Sequence, residues 1–429
     1  MTTLCSRRAF ALGLTLALAA STARASTWIV DAAGGPGANY TDLPPAIAAA
    51  APADVLIVRP GSYSSFVLDK GLTLVADPGA NVLGGITVQN VTTFRALLVN
   101  LACDTLVIAD CPRVVIAQGL TVRGTIGAVP TQAVDVANAT DVRFQRLSVP
   151  GNNAGIPYLV GQDAMRVTNA RVELVRSNLR GRDGYDTANS PTRPHGGHAL
   201  RIGPGGNVHA ALSTLRGGEG GDNPSTTLFQ SYGGDGGDAA RLTAADSVLL
   251  LTGVPTDTLS GGFNGYSNEC AYDGLPGTGV RVVFPSASAR VSGATLLGAG
   301  YFCDGSLGPT TIGPVTVPAT PDPTLEMLPP VSGPGAACTM VVHAAPGTDV
   351  RLRLGRRPIV EDLPASIEDR LVEQLRSWGL GLVPASGEVT FPFTLPSTSP
   401  IGALLAFQAF AVDPSTGTEF TASWPVVFR

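Results

Sequence analysis

Five short apolar-x-apolar segments recur through the middle of the chain, each after a glycine-rich stretch: Val134-Asp135-Val136, Met165-Arg166-Val167, Leu200-Arg201-Ile202, Ala240-Arg241-Leu242 and Val280-Arg281-Val282. A small residue precedes each (Ala133, Ala164, Ala199, Ala239, Gly279), and the starts lie 31, 35, 40 and 40 residues apart. A repeat of this length means stacked units, each too small to bury its own apolar face and each covering its neighbour. Within a unit a second apolar run follows a short turn, as in Arg171 to Val175 and Ser247 to Leu251, and a glycine-rich insert of variable length closes it. No helical period intervenes. Short strands, tight turns and inserts confined to one place describe coils wound into a solenoid.

The upstream coils are tighter, with apolar stretches at Leu72 to Ala76, Ile86 to Val88, Leu97 to Val99, Leu106 to Ala109 and Leu120 to Val122. Parallel strands in successive coils stack about 4.8 Å apart, so inward residues form continuous ladders. The expected fold is all-β: a right-handed parallel β-helix solenoid over residues 26–308. Apolar residues make up 44% of the chain, enough to fill such a core, although glycine (52 residues) and proline (34) are abundant.

The N-terminal end reads Trp28-Ile-Val-Asp31, a glycine-rich turn, Tyr40-Thr41-Asp42-Leu43 and an alanine-rich segment, then Val55-Leu-Ile-Val58 and Arg59-Pro60-Gly61-Ser62-Tyr63. This resembles the opening of pectin-lyase-like β-helix proteins, in which a short amphipathic helix caps the first coil. The resemblance covers residues 27 to 305. It implies a fold that hosts both polysaccharide-active enzymes and noncatalytic proteins.

Enzyme motifs of that superfamily are incomplete here. Gly61-Ser62-Tyr63-Ser64-Ser65 has Ser where the methylesterase motif has Glu, and Gln162-Asp163-Ala164-Met165 lacks the nucleophile segment that should follow it. The hydrolase signature is absent, Gly196-Gly197-His198 being a near miss. A lyase needs calcium-binding acids beside an arginine, which Asp163 and Asp238 next to Arg201 imitate.

Residues 1–25 read as an export signal: Arg7 and Arg8 precede the apolar run Ala9 to Ala20, and Ala23-Arg24-Ala25 fits the small-x-small cleavage pattern. Ser6-Arg7-Arg8-Ala9-Phe10 also resembles a twin-arginine signal. The mature chain is then expected in the periplasm, on the cell surface or outside the cell, with no further membrane span. A formal charge of −5 gives no broad basic field, so nucleic acid is not an expected partner. Export permits disulfides; Cys270 with Cys303 is the first candidate pair and Cys103 with Cys111 the second.

Residues 309–335 are proline-rich and read as a linker. Residues 336–429 alternate strands with Pro-Gly and Asp-Pro turns, which fits a small β-sandwich-like domain with one helical segment from Ile367 to Trp378. It resembles terminal modules of large secreted bacterial proteins. Its Arg356-Arg357 pair reads as a solvated loop.

Candidate sites follow from the coil register. One outward ladder is Asp135, Arg166, Arg201, Arg241, Arg281. Its guanidinium groups either pair with acids such as Glu173 and Asp246 or hold an anionic, uronate-containing polymer. A second ladder, two residues before each strand, is Gln132, Asp163, His198, Asp238, Thr278. It places His198 between two carboxylates that would raise its pKa, for a structural hydrogen-bonded ladder, a metal site or proton transfer. The insert from Asp183 through Tyr185 and Asp186 to His195 and His198 gathers acids and imidazoles suited to acid-base or metal chemistry. The Gly217 to Asp222 and Gly233 to Asp238 runs echo a calcium-binding nonapeptide, which makes Asp222 and Asp235 candidate calcium ligands beside Asp163 and Asp238. Glycine packing is the other reading of those runs. The function expected is a noncatalytic surface scaffold or adhesin that binds polysaccharide; the alternative is a polysaccharide lyase or hydrolase.

Overall fold

A computed structural model describes residues 25–124, 132–151, 161–186, 193–223, 232–267, 273–301, 305–329, 333–355, 358–361, 370–372, 376–398, 400–401, 403–413, 417–421 and 423–427. Twenty-five strands join in one parallel ladder. The repeat register holds residue for residue: Val134 pairs Met165, Met165 pairs Leu200, Leu200 pairs Ala240 and Ala240 pairs Val280. Inward residues Val134, Val136, Met165, Val167, Leu200 and Ile202 are fully buried. The chain is a parallel β-helix followed by small antiparallel sheets.

The coils that start at Leu200, Ala240 and Val280 carry three strands each, as in Leu200–Ile202, Gly206–Ala211 and Thr214–Arg216, whereas in those from Val134 and Met165 the first two merge into one, Val134–Gln145 and Met165–Val175. Left-handed residues turn the first corner: Asn90, Asp110, Asn138, Asn169 and Gly205 all have φ between +46° and +62°. Asn and Gly tolerate that region best. The Asn169 amide donates to Asn138 Oδ1 and the Asn138 amide to Asp110 Oδ1, each at 2.9 Å, so the turns brace one another. At the N-terminal end helix Leu43–Ala49 starts at Asp42, whose carboxylate accepts from the Leu43 N–H. Its Leu43, Ala46 and Ile47 cover the first coil, the cap expected from the sequence.

Within the proline-rich stretch, Thr311–Ile312 and Val315–Thr316 pair with the preceding coil, so the solenoid continues past residue 308. Thr324–Leu328 then joins Ala337–His343 and Glu388–Thr394 in a three-stranded antiparallel sheet. A five-stranded sheet contains Arg376–Leu382, Asp349–Gly355, Leu404–Asp413, Gly417–Phe420 and Trp424–Val427. Of the segment Ile367 to Trp378, expected to be helical, the described residues belong to strands Arg370–Val372 and Arg376–Leu382. Directly after the expected helix, Trp378-Gly-Leu380-Gly-Leu382 alternates with period two and its glycines disfavour helix, so the residues from Arg376 to Trp378 join the strand Arg376–Leu382. The Arg356-Arg357 pair lies outside the described residues. Among the described residues no helix is long and apolar enough to cross a membrane.

The C-terminal sheets lie along one side of the solenoid. Thr73–Ala76, Ala96–Val99 and Val115–Gln118 are buried at every position, unlike strands with one wet face. Their outward Val75, Leu97, Val99 and Ile116 gather around Leu404, while Val175, Ala211 and Leu212 enter the core of the C-terminal module. A buried polar cluster joins the two parts. Arg143 Nη2 lies 2.6 Å from Asp141 Oδ2 and its Nη1 donates to Ser423 Oγ at 2.9 Å. Ser423 donates from its N–H and hydroxyl to the Glu173 carboxylate at 2.9 and 2.7 Å.

Candidate functional site

The inserts between the third strand of one coil and the first strand of the next pack into a glycine-rich bundle. Outgoing segments 181–186, 217–223 and 261–267 and returning segments 193–198, 232–238 and 273–278 are neither helix nor strand. Glycines recur three apart: Gly181 and Gly184, Gly218 and Gly221, Gly234 and Gly237, Gly262 and Gly265, Gly274 and Gly277. Three residues per turn with no internal hydrogen bonds is the polyproline II geometry, and here the backbone groups bond between segments. Gly277 N–H donates to Gly262 O, Gly262 to Gly237, Gly237 to Gly218, Gly218 to Gly197 and Gly197 to Arg182, all at 2.7–2.9 Å. A parallel chain runs one turn farther out, through Gly265, Gly234, Gly221 and Pro194. A Cβ on Gly181, Gly237 or Gly262 would sit 1.9–2.0 Å from a neighbouring carbonyl oxygen. Close backbone approach accounts for the glycines of the Gly217 to Asp222 and Gly233 to Asp238 runs.

In the inner segments the two sides that face other segments are mostly glycine, so most side chains fall on the third. The outgoing layer presents Asp183 and Asp186, then Glu219 and Asp222, then Phe263 and Tyr266; the returning layer presents His195 and His198, then Asp235 and Asp238, then Leu275 and Thr278. These side chains satisfy backbone N–H groups on the following coil. Asp183 accepts from Glu219 N–H at 2.8 Å, Asp186 from Asp222 at 2.9 Å and Asp222 from Tyr266 at 2.7 Å. On the other layer Asp163 accepts from His198 at 2.8 Å, His195 from Asp235 at 3.1 Å, Asp235 from Leu275 at 2.8 Å and Asp238 from Thr278 at 3.0 Å.

His198 sits between Asp163 and Asp238, as the register predicts, but its pKa is not raised. Burial, the largest influence, lowers it, and Arg201 and Arg241 add to that effect against the two carboxylates. Its Nδ1 accepts from the Asp238 N–H at 2.8 Å, which requires a lone pair there. The 3.6 Å approach of the Asp238 carboxylate to the same nitrogen is therefore not an ion pair. The sequence reveals neighbouring charges but not the burial that outweighs them.

The arginine ladder also keeps its register, Asp135 to Arg166 to Arg201 to Arg241 to Arg281. Its counter-ions are not Glu173 and Asp246. Arg166 pairs with Asp135 at 2.6 Å and Arg281 with Asp238 at 2.9 Å. Arg201 Nε lies 2.7 Å from Asp163 Oδ2, close enough for an ion pair although that N–H makes no hydrogen bond. Arg241 reaches the same Asp238 only at 3.8 Å. Glu173 is instead buried under the C-terminal module.

The bundle separates the insert residues that the sequence grouped together: Asp183 and Asp186 lie on the outgoing layer, His195 and His198 on the returning one. Among the candidate calcium ligands, Asp222 is on the outgoing layer while Asp163, Asp235 and Asp238 are on the returning side. Among the described residues no group of three or more His, Cys, Asp or Glu side chains is placed to hold a metal ion. Cys103 and Cys111, a candidate disulfide, are free buried thiols on inward positions, and burial pushes the Cys103 thiol up to about 12. Cys270 and Cys303 lie outside the described residues.

A groove of about 560 Å³ crosses the outgoing layer, lined by Asp183, Asp186, Glu219 and Asp222 with Phe263, Asn264 and Tyr301. Phe263 is 49% exposed. Arg180 pairs with Asp183 at 2.8 Å and Arg216 with Glu219 at 2.6 Å, so two of the four carboxylates are matched. The sequence reading missed Glu219, Phe263 and Tyr301. A signal existed, since Asp183, Glu219 and Phe263 each stand two residues after the first glycine or glycine pair of an outgoing segment.

Compared with family models, curated proteins and solved structures, the chain matches none, so its functional reading rests on this geometry.

Proposed function

We propose that the chain is an exported, noncatalytic β-helix scaffold, pectin-lyase-like in its capped opening, whose glycine bundle presents the outgoing groove to polysaccharide at the cell surface or outside the cell. The observation that carries this reading is the use of the polar insert residues. Asp163, Asp183, Asp186, His195, His198, Asp235 and Asp238 each accept a backbone N–H from the next coil. A side chain committed in this way fixes the bundle and is poorly placed to exchange protons with a substrate. The groove offers the complementary chemistry: carboxylate oxygens that accept sugar hydroxyls and an exposed Phe263 ring for the apolar face of a pyranose. Its acidic lining repels a uronate chain, so a neutral or amino-bearing polymer fits better.

Binding and turnover of the purified protein across a polysaccharide panel, with and without calcium, test the reading. Binding without turnover, lost in Phe263→Ala, supports the scaffold. Turnover that disappears in Asp163→Ala or Arg201→Ala establishes a lyase instead.

A further inference from the structure

The two ends of the solenoid differ. Helix Leu43–Ala49 closes the first coil with buried Leu43, Ala46 and Ile47. At the other end the inward ladders run out into solvent. Leu215 and Leu259 are fully buried, whereas Leu296, paired with Leu259 one coil on, is only partly so. Ala289 and Val291 are buried, but Val315, stacked on Ala289, is partly covered and Val317 is 60% exposed. Leu297 (45%), Leu307 (79%) and Ile312 (36%) add apolar surface around this rim.

The same end is an open sheet edge. Thr295–Leu297, Thr311–Ile312 and Val315–Thr316 pair with the preceding coil alone among the described strands. Natural edges are usually blunted by charge or by proline within the strand. Gly305 to Thr320 contains no charged residue, and Pro309, Pro314 and Pro318 lie between or beyond the strands. After Val317 the chain turns back along the side of the solenoid, where Asp322 pairs with Arg290 at 2.7 Å, and Val317 stays open.

We infer that this end binds a second copy of the chain, tail to tail about a two-fold axis. The occupant follows from three features together. An edge of unpaired backbone groups is matched by another strand edge. The helix over the first coil excludes head-to-tail stacking, so the contact closes as a dimer and does not propagate as a filament. A two-fold axis sets each surface against its own copy, which like charges would oppose; the uncharged Gly305 to Thr320 run removes that repulsion. Strands of one copy then run antiparallel to those of the other, and Val315, Val317 and Leu296 complete a core continuous across the axis.

Sedimentation equilibrium of the full chain, under reducing conditions and over a concentration series, tests this. The expected result is a species of twice the chain mass that Val317→Asp and Ile312→Lys each convert to monomer, with the circular dichroism spectrum unchanged because both positions are exposed in the single chain, and with the concentration dependence of the thermal midpoint lost. Thr316→Cys, oxidised after purification, is expected to give a covalent dimer. A wild-type chain monomeric throughout, or a dimer that neither charged variant weakens, overturns the inference. Glycan binding is read separately, so loss of the dimer leaves the groove untouched.

Discussion

The imidazole Nδ1 of His198 accepts the backbone N–H of Asp238, forty residues ahead and one coil on, at 2.8 Å. The bond holds only while that nitrogen is unprotonated. Burial lowers the His198 pKa in the folded chain below its ordinary value of 6.5, whereas the unfolded chain titrates normally. Below that value the unfolded state therefore binds more protons, and stability falls as pH drops. Denaturant midpoints are expected to decline between about pH 7 and pH 5. His198→Asn keeps an acceptor without a titrating group and should flatten that slope; His198→Leu leaves the N–H unpaired and should cost about 1–3 kcal/mol at neutral pH. A slope unchanged in His198→Asn would assign the pH effect to another group.

Close backbone approach makes Gly237 a sharper test of the bundle. A Cβ there meets Gly197 O at 1.9 Å, while one at Gly333 meets nothing within 4 Å. Gly237→Ala must separate two layers or break the chain of bonds, so a loss of about 1–3 kcal/mol or more is expected in thermal or chemical unfolding. Gly333→Ala should remain within about 0.5 kcal/mol of wild type. Equal midpoints for the two variants would mean that the layers are not packed this tightly.

The ladder acids are expected to differ by position. Asp238 is 1% exposed and takes bonds from Thr278 N–H, Thr278 Oγ1 and Arg281, whereas Asp186 borders the open groove. Asp238→Ala leaves an arginine and a threonine unmatched and should cost about 2–4 kcal/mol. Asp186→Ala should cost about 1 kcal/mol or less. Unfolding curves of the two variants decide it, and a reversed order would contradict the burial.

Much of this architecture is legible before any coordinates. Alternation such as Leu200-Arg201-Ile202, repeated in register, fixes which residues point inward, because a one-residue slip would bury Arg201. The bundle is not legible in that way. Its period of three leaves no apolar stripe, only glycines such as Gly218 and Gly221, and these read equally as a calcium loop. Which side of the bundle Asp183 or His195 occupies depends on the antiparallel return of each insert, which sequence spacing does not encode. Docking of the C-terminal module did leave a trace: Leu97, Leu98 and Val99 are apolar at both parities, the mark of a strand covered on both faces. Without the partner surface that trace reads as ordinary core.

That docking supplies the last prediction. Arg143 is 2% exposed between Asp141 and Glu173, and Ser423 of the C-terminal module bonds both the guanidinium and the Glu173 carboxylate. Removing the guanidinium takes the positive charge from beside two buried carboxylates, so Arg143→Met is expected to lose about 3–5 kcal/mol. Ser423→Ala deletes two hydrogen bonds but no charge and should lose about 1–3 kcal/mol. If the cluster works as one unit, the double variant loses less than the two single losses combined, since Ser423 has less to hold once Arg143 is gone. The same variants should speed proteolytic separation of the C-terminal module from the solenoid. Additive losses with an unchanged cleavage rate would mean that apolar packing around Leu404 and Val175 holds the module without help from these charges.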